Sequence, residues 1–382
     1  MSMTERERML AVYRGETPDR VPFFLDLSHW FYQKHGIPFD LSVPHLEPEW
    51  DLIAYHRQVG AGFYVPNLNS YYDASFPPDV VATTTRSEPS ELVPGAGREP
   101  EITWRIETPI GAIERKRTWE EQSYSWNVSQ WGVRTEQDLR VLGYALSRRQ
   151  YRPAWERYTP WVEALGDYGV VYVSIGYSAM GHLLGYWMGI EQTIYAAADM
   201  PGVLREVVDE INDNLLDCVD LVCQSPAEVI LMGDNFSGDI QSPRFFKRWS
   251  EPFYREAIRR VKEAGKYSAI HIDGRLKGIL KCFADLEASC ADAVTPAPMG
   301  DLTPRQCRQE AGPDMVLSGG VPPNLWLPAV SDSTFKEAVL DWLEIRKLSP
   351  RLVANAGDQV PPGAPEYRIE MMRDLVEEHG RF

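Results

Sequence analysis

Eight short apolar runs constrain this chain more than any other feature, because each is closed by polar or glycine residues and followed by a helix-periodic stretch. They fall near residues 22, 64, 172, 230, 269, 293, 316 and 353. Short apolar strands alternating with helices predict parallel strands in βαβ units. Eight such units is the number that closes a TIM (β/α)8 barrel. An open doubly wound sheet is the competing α/β architecture, but no GxGxxG follows the first strand. With 382 residues, 44% of them hydrophobic, the chain has ample material for a sizeable core. Barrels of this kind commonly run long as one domain, so a single domain over residues 1–382 is expected.

Residues 66–135 break the alternation. Strand-like runs occur at 101–108, 112–118 and 122–128, with Thr108-Pro109-Ile110-Gly111 as a hairpin turn between the first two. The expectation is an inserted β-hairpin excursion packed over one mouth of the main domain. Its tryptophans Trp104, Trp119, Trp126 and Trp131 either line a pocket for a flat ligand or form the core of a small sheet.

The helices have recognisable ends. Thr4 and Glu7 have capping-box spacing at the start of a helix over 4–14, which Gly15 ends. Further helices are predicted over 50–59, 179–189, 190–198, 201–224, 245–263, from Leu276 onward, and over 367–379.

Charge excludes some functions. A net charge of −16 would repel nucleic acid or an anionic membrane surface. The basic run Glu114-Arg115-Lys116-Arg117 alternates with acids and reads as a solvated strand face. Five cysteines, with no CxxC among them, give a reducing-compartment pattern. Residues 1–10 are charged and hold no apolar core of a signal peptide, and no stretch approaches a membrane span. A cytoplasmic protein acting on a small molecule is expected.

The barrel reading places a site at the carboxyl ends of the strands. Those ends carry Asp26, His29, Asn67, Tyr177, Asp234, Asn235, His271, Asp273, Asn355 and Asp358. In the stretch 267–275, His271 and Asp273 stand on alternate positions, so both side chains leave one face of the strand. That arrangement suits a site as well as it suits a hydrogen-bonded strand terminus.

In sequence order, these landmarks resemble the uroporphyrinogen decarboxylase superfamily, which includes porphyrinogen decarboxylases and zinc-dependent cobamide methyltransferases. The resemblance rests on Arg8-Met9-Leu10 through Gly15, Pro18-Asp19-Arg20-Val21-Pro22, and Thr108-Pro109-Ile110-Gly111 followed by 136–139. It continues in Ser242-Pro243-Arg244-Phe245-Phe246 with Pro252, in His271-Ile272-Asp273-Gly274, and in Asn355 through Pro365. Each motif is weak alone; six in order are strong, and the implied fold is a TIM barrel.

The true decarboxylases carry an arginine-rich motif after the first strand, where this chain has Asp26-Leu27-Ser28-His29-Trp30. Their essential aspartate falls near Pro66-Asn67, their tyrosine near His182 and their late histidine near Asp358. These departures argue against porphyrinogen decarboxylation. The methyltransferase branch implies a metal held by His271, with Asp273 and Asp358 standing where that branch has cysteines. One histidine and two carboxylates form a harder donor set, suited to zinc, Fe(II), Mn(II) or Ni(II).

The resemblance then implies metal-assisted methyl transfer or demethylation of a small methylated substrate, in partnership with a corrinoid protein. His182, Asp234, Asn235 and His271 would serve catalysis; His29, Asn67, Tyr177 and Asn355 would contact substrate. Two alternatives stay open. One is a decarboxylase or lyase acting on a small acid through a metal-free His/Asp cluster. The other is a non-catalytic protein that binds a tetrapyrrole or corrinoid. Oligomeric state stays open.

Overall fold

The structure is a computed structural model, and it describes residues 2–37, 39–43, 46–64, 71–87 and 99–382. Six parallel strands form one sheet in the order Leu352–Ala356, Val316–Val321, Cys290–Val294, Tyr267–Ile272, Val229–Phe236 and Val173–Ser174. Sequence neighbours are spatial neighbours throughout, as βαβ units with intervening helices require.

Of the expected strands near 22 and 64, the described residues form isolated bridges rather than ladders. Phe23 bridges Ala354, Phe24 bridges Gly62, and Phe63 bridges Gly169, all parallel. Phe24 N donates to Ala354 O at 3.0 Å, Gly62 N to Phe23 O at 2.8 Å, and Val170 N to Phe63 O at 3.0 Å. Hydrogen bonding therefore passes from one edge of the six-stranded sheet, through 22–25 and 61–64, to the residues that enter its other edge. Pro22, which has no N–H to donate, contributes only its carbonyl, accepting from Ala354 N at 2.9 Å.

Successive strand residues face two different cores. Ile230, Met232, Ile270 and Ala291 pack outward with the helices. Val229, Leu231, Ala269, Cys290, Val316 and Val353 join a separate inner cluster with Met9, Leu10, Val12 and Tyr13. This is the period-2 alternation of a sheet buried on both sides. The helix Glu5–Arg14, closed by the capping box of Thr4 and Glu7, presents its buried face to that inner cluster. Tyr13 and Tyr172 hydroxyls meet there at 2.7 Å.

Three helix expectations change. The stretch 245–263 divides into Pro243–Trp249 and Glu251–Glu263. Pro252 cannot donate inside a helix and instead occupies the first turn of the second one. The stretch 179–189 forms the short helix Ala179–Gly181, followed by a π-helical segment, His182–Trp187. The helix predicted from Leu276 begins at Ile279, after Gly278 in the left-handed region.

Beside this framework stands an antiparallel sheet in the order Val81–Ser87, Glu101–Thr108, Gly111–Glu120 and Ser125–Gln130. Its first strand, polar and almost wholly exposed, gave no apolar signal. Tyr72–Ser75 pairs separately with Gln150–Pro153. Trp126 is buried, donates to the Phe39 carbonyl at 2.5 Å and joins the main core.

Candidate functional site

His271 and Asp292 occupy paired register positions on the adjacent parallel strands Tyr267–Ile272 and Cys290–Val294. Paired residues of a parallel ladder leave the same face, so the two side chains must meet. The His271 imidazole donates from Nδ1 to Asp292 Oδ2 at 3.2 Å, and its Nε2 faces Asp358 Oδ1 at 3.8 Å. Asp292 is 2% exposed, and its other oxygen has no hydrogen-bond partner. Burial alone would lower the pKa of His271. The hydrogen bond to Asp292, with the charges of Asp358 and Asp273, overrides it and pushes the imidazole up to about 10.

The surrounding carboxyls shift upward. Burial raises Asp358 against the pull of His271, with Asp273 and Asp292 adding like charge. Asp26 is raised by burial, although Ser28 N and Oγ hydrogen-bond it, and Asp358 raises it further. Glu49 is pushed up to about 8 by burial and by Asp26. Several acids thus share one neighbourhood with the His271 imidazolium.

His271, Asp292, Asp358 and Asp26 border a cavity of about 610 Å³, which Asp273 and Glu49 do not line. Of the residues expected at the site, His29, Tyr177, His182, Asn235, His271 and Asp358 line it, together with Asp26. Asn235 reaches it through a register shift between Met232 and Phe236, with φ 49 at Asn235 itself. His182 lies at the start of the π-helical segment, in ring contact with Tyr177 and Tyr186. Its pKa is driven well below the usual value by burial, then by Arg149 and Arg115. Neutral and with a buried Nδ1 that has no partner, it is left with a free position for a hydrogen bond to a bound molecule.

Other expected residues stand elsewhere. Asp234 is buried behind the wall, accepting from Ser178 N at 2.6 Å and from Ser178 Oγ. It holds the start of the helix that leads into His182, so it positions rather than touches. Burial, opposed by the Ser178 hydrogen bonds, brings it to about 6. Asn355 is fully buried and donates to Tyr64 Oη at 2.9 Å. Asn67 lies outside the described residues.

Asp273 falls just beyond the strand end at Ile272, where strand alternation no longer sets its direction. Among the described residues, no group of three or more His, Cys, Asp and Glu side chains stands so as to hold a metal ion. His271 and Asp358 face each other at 3.8 Å, and these two are not joined by Asp273 in such a group. His271 instead turns Nδ1 to a carboxylate partner and leaves Nε2 toward the cavity.

Among the cavity residues that the sequence did not mark as site candidates are Asp292, Tyr64, Arg117 and Arg149. Asp292 was visible as the start of a predicted strand, but its pairing with His271 depends on register between strands. Arg117 reads as solvated by composition, yet the antiparallel sheet turns it to the cavity wall.

No helix among the described residues is long and apolar enough to cross a membrane. The family model for uroporphyrinogen decarboxylase (URO-D) matches residues 176–379, more than half of the chain. No curated protein matches it. Among solved structures, a methyltransferase from Methanosarcina mazei superposes with a TM-score of 0.63 at 15% sequence identity, covering 99% of each chain. At that identity the likeness concerns the fold.

Proposed function

The chain belongs to the uroporphyrinogen decarboxylase family, and from that premise we propose a methyltransferase-like enzyme acting on a small molecule in the His271 cavity. The bridges from 22–25 to 61–64 and on to 169–172 are read as the closure of a (β/α)8 barrel, with the cavity at the carboxyl ends of its strands. The observation that carries the proposal is the imidazolium of His271 held between Asp292 and Asp358 at the cavity floor.

Asp292 fixes the ring orientation and keeps the proton on Nδ1. Nε2 then holds a second proton toward the substrate. In methyl transfer, the bond between the methyl carbon and its heteroatom breaks, and the heteroatom keeps the electron pair. His271 Nε2 protonates that leaving atom, and the methyl group passes to a nucleophile brought by a second protein. A reduced corrinoid is the candidate nucleophile, by the resemblance of the motifs. His182 and Tyr177 border the same space and orient the substrate.

A second reading is favoured by Arg117 and Arg149 on the wall. Loss of carbon dioxide from a small acid would use the same His271 proton, delivered to carbon as the carboxylate departs.

The test is methyl transfer to free cob(I)alamin, followed by absorbance, with a panel of methyl ethers, amines and thioethers and with carbon dioxide release measured in parallel. His271→Gln should cut turnover by about 100-fold or more, as removal of a general acid does. A flat absorbance trace across the panel would sink methyl transfer. Stoichiometric metal in the purified protein, lost in Asp358→Ala, would overturn the metal-free role of His271.

A further inference from the structure

Away from the His271 cluster, three arginines gather where the antiparallel sheet meets the segment His182–Trp187. Arg117, from the strand Gly111–Glu120, and Arg149, just before Gln150–Pro153, line the main cavity. Arg115 stands two residues before Arg117 on the same strand and therefore on the same face. It borders a smaller adjoining cavity of about 240 Å³, which Arg117 also lines.

Among the described residues none of the three pairs with a carboxylate, although the chain carries 55 acidic residues against 39 basic ones. The nearby Glu114 and Glu101 engage Arg105 and Lys116 instead. Arg115 is only 5% exposed, and its Nε and Nη1 have no hydrogen-bond partner. Among the described residues its charge is met by rings, with Trp104 at 4.1 Å, Tyr186 at 4.5 Å and Trp187 at 5.1 Å. Arg117 also leaves Nε unpartnered, lies over Tyr186 at 5.0 Å and reaches one carbonyl, Gly185 O, at 3.4 Å. Arg149 lies over Phe76 at 5.5 Å.

A guanidinium taken out of water with free donors is costly unless an anion completes it. Ring faces offset part of that cost but satisfy no N–H. A planar carboxylate is the group that two guanidinium forks complement best. The same wall carries Tyr72, Trp126, Tyr151 and Tyr186, flat apolar surfaces suited to an equally flat body.

We propose that Arg117 and Arg149 bind the carboxylate of the substrate, a small aromatic or similarly flat organic acid, with Arg115 behind them sustaining the positive field. This rests on the reading of the His271 cavity as the active site, with the reacting group directed to His271 and the anionic end to the arginines.

Calorimetric titration with benzoate, neutral benzamide and inorganic phosphate tests it on the full chain. Benzoate should bind, benzamide should bind at least about tenfold more weakly, and both Arg117→Gln and Arg149→Gln should weaken benzoate by about tenfold or more. Arg149 is partly exposed, so its variant should melt as the wild type does and keep the test readable if Arg117→Gln unfolds. Equal affinity for benzoate and benzamide would overturn the proposal, as would unchanged benzoate binding in a folded Arg149→Gln. Displacement of benzoate by equimolar phosphate would reduce the patch to a general anion surface and overturn it too. Benzoate binding without any methyl transfer would leave the inference standing and sink only the earlier reading.

Discussion

At the residue scale, the His271–Asp292 pair makes the protein's behaviour depend on pH in a definite direction. His271 has a folded pKa of about 10, above its usual 6.5. The stability it contributes is therefore fully present below about pH 6.5 and lost as pH rises toward 10. The gap in melting temperature between wild type and His271→Gln should be widest near pH 6 and narrow steadily toward pH 10. A gap that widens with rising pH would contradict the imidazolium. His271 was legible in the sequence because alternation and a following glycine marked it. Asp292 was not, because its importance lies in a neighbour 21 positions away that only strand register supplies. Asp273 shows the converse: alternation was extended past Ile272, where the strand has already ended.

At the element scale, the sequence located strands but not their lengths. An apolar run is taken to stop at its first polar residue, so the strand beginning at Val229 seemed to end before Asp234. In the fold it continues to Phe236, because the backbone ladder is indifferent to side-chain polarity when the polar group is buried with a partner. Val316–Val321 likewise runs through Ser318, Gly319 and Gly320. The glycines there serve packing. A Cβ on Gly319 would lie 2.2 Å from the Val294 carbonyl oxygen on the neighbouring strand, whereas a Cβ on Gly202 meets nothing within 4 Å. Gly319→Ala should cost about 1–3 kcal/mol or more in urea unfolding. Gly202→Ala, inside the helix Pro201–Cys223, should be neutral or stabilising by up to about 1 kcal/mol. Equal effects from the two would mean that the strands separate more easily than their contacts indicate.

At the scale of the whole molecule, the count of eight alternating segments conveyed the α/β architecture. The weak pairing of the first two segments was hidden. Their apolar character resembles that of the others, but Pro22 lacks a donor and the described pairing reduces to single bridges. The N-terminal helix compensates from the inside. Met9 and Tyr13, both almost fully buried, fill the inner cluster beneath Tyr172 and Ala269. Deleting residues 1–15 should expose this cluster, lower the melting temperature by many degrees and raise binding of a hydrophobic dye. A truncated protein melting within about 2 °C of the full chain would show the inner cluster to be self-sufficient.

The cavity has two structural parentages. His271, Asp292 and Asp358 come from the parallel sheet and the turn that follows it, while Arg117 and Trp126 come from the separate antiparallel sheet. Floor and roof share one space and, at Trp126, one core, so it is the roof positions outside that core that can drift in sequence without dismantling the floor. Changes in the roof should alter which molecule is admitted, and changes in the floor should alter what is done to it. A descendant of this chain could acquire a new diet while keeping its old chemistry.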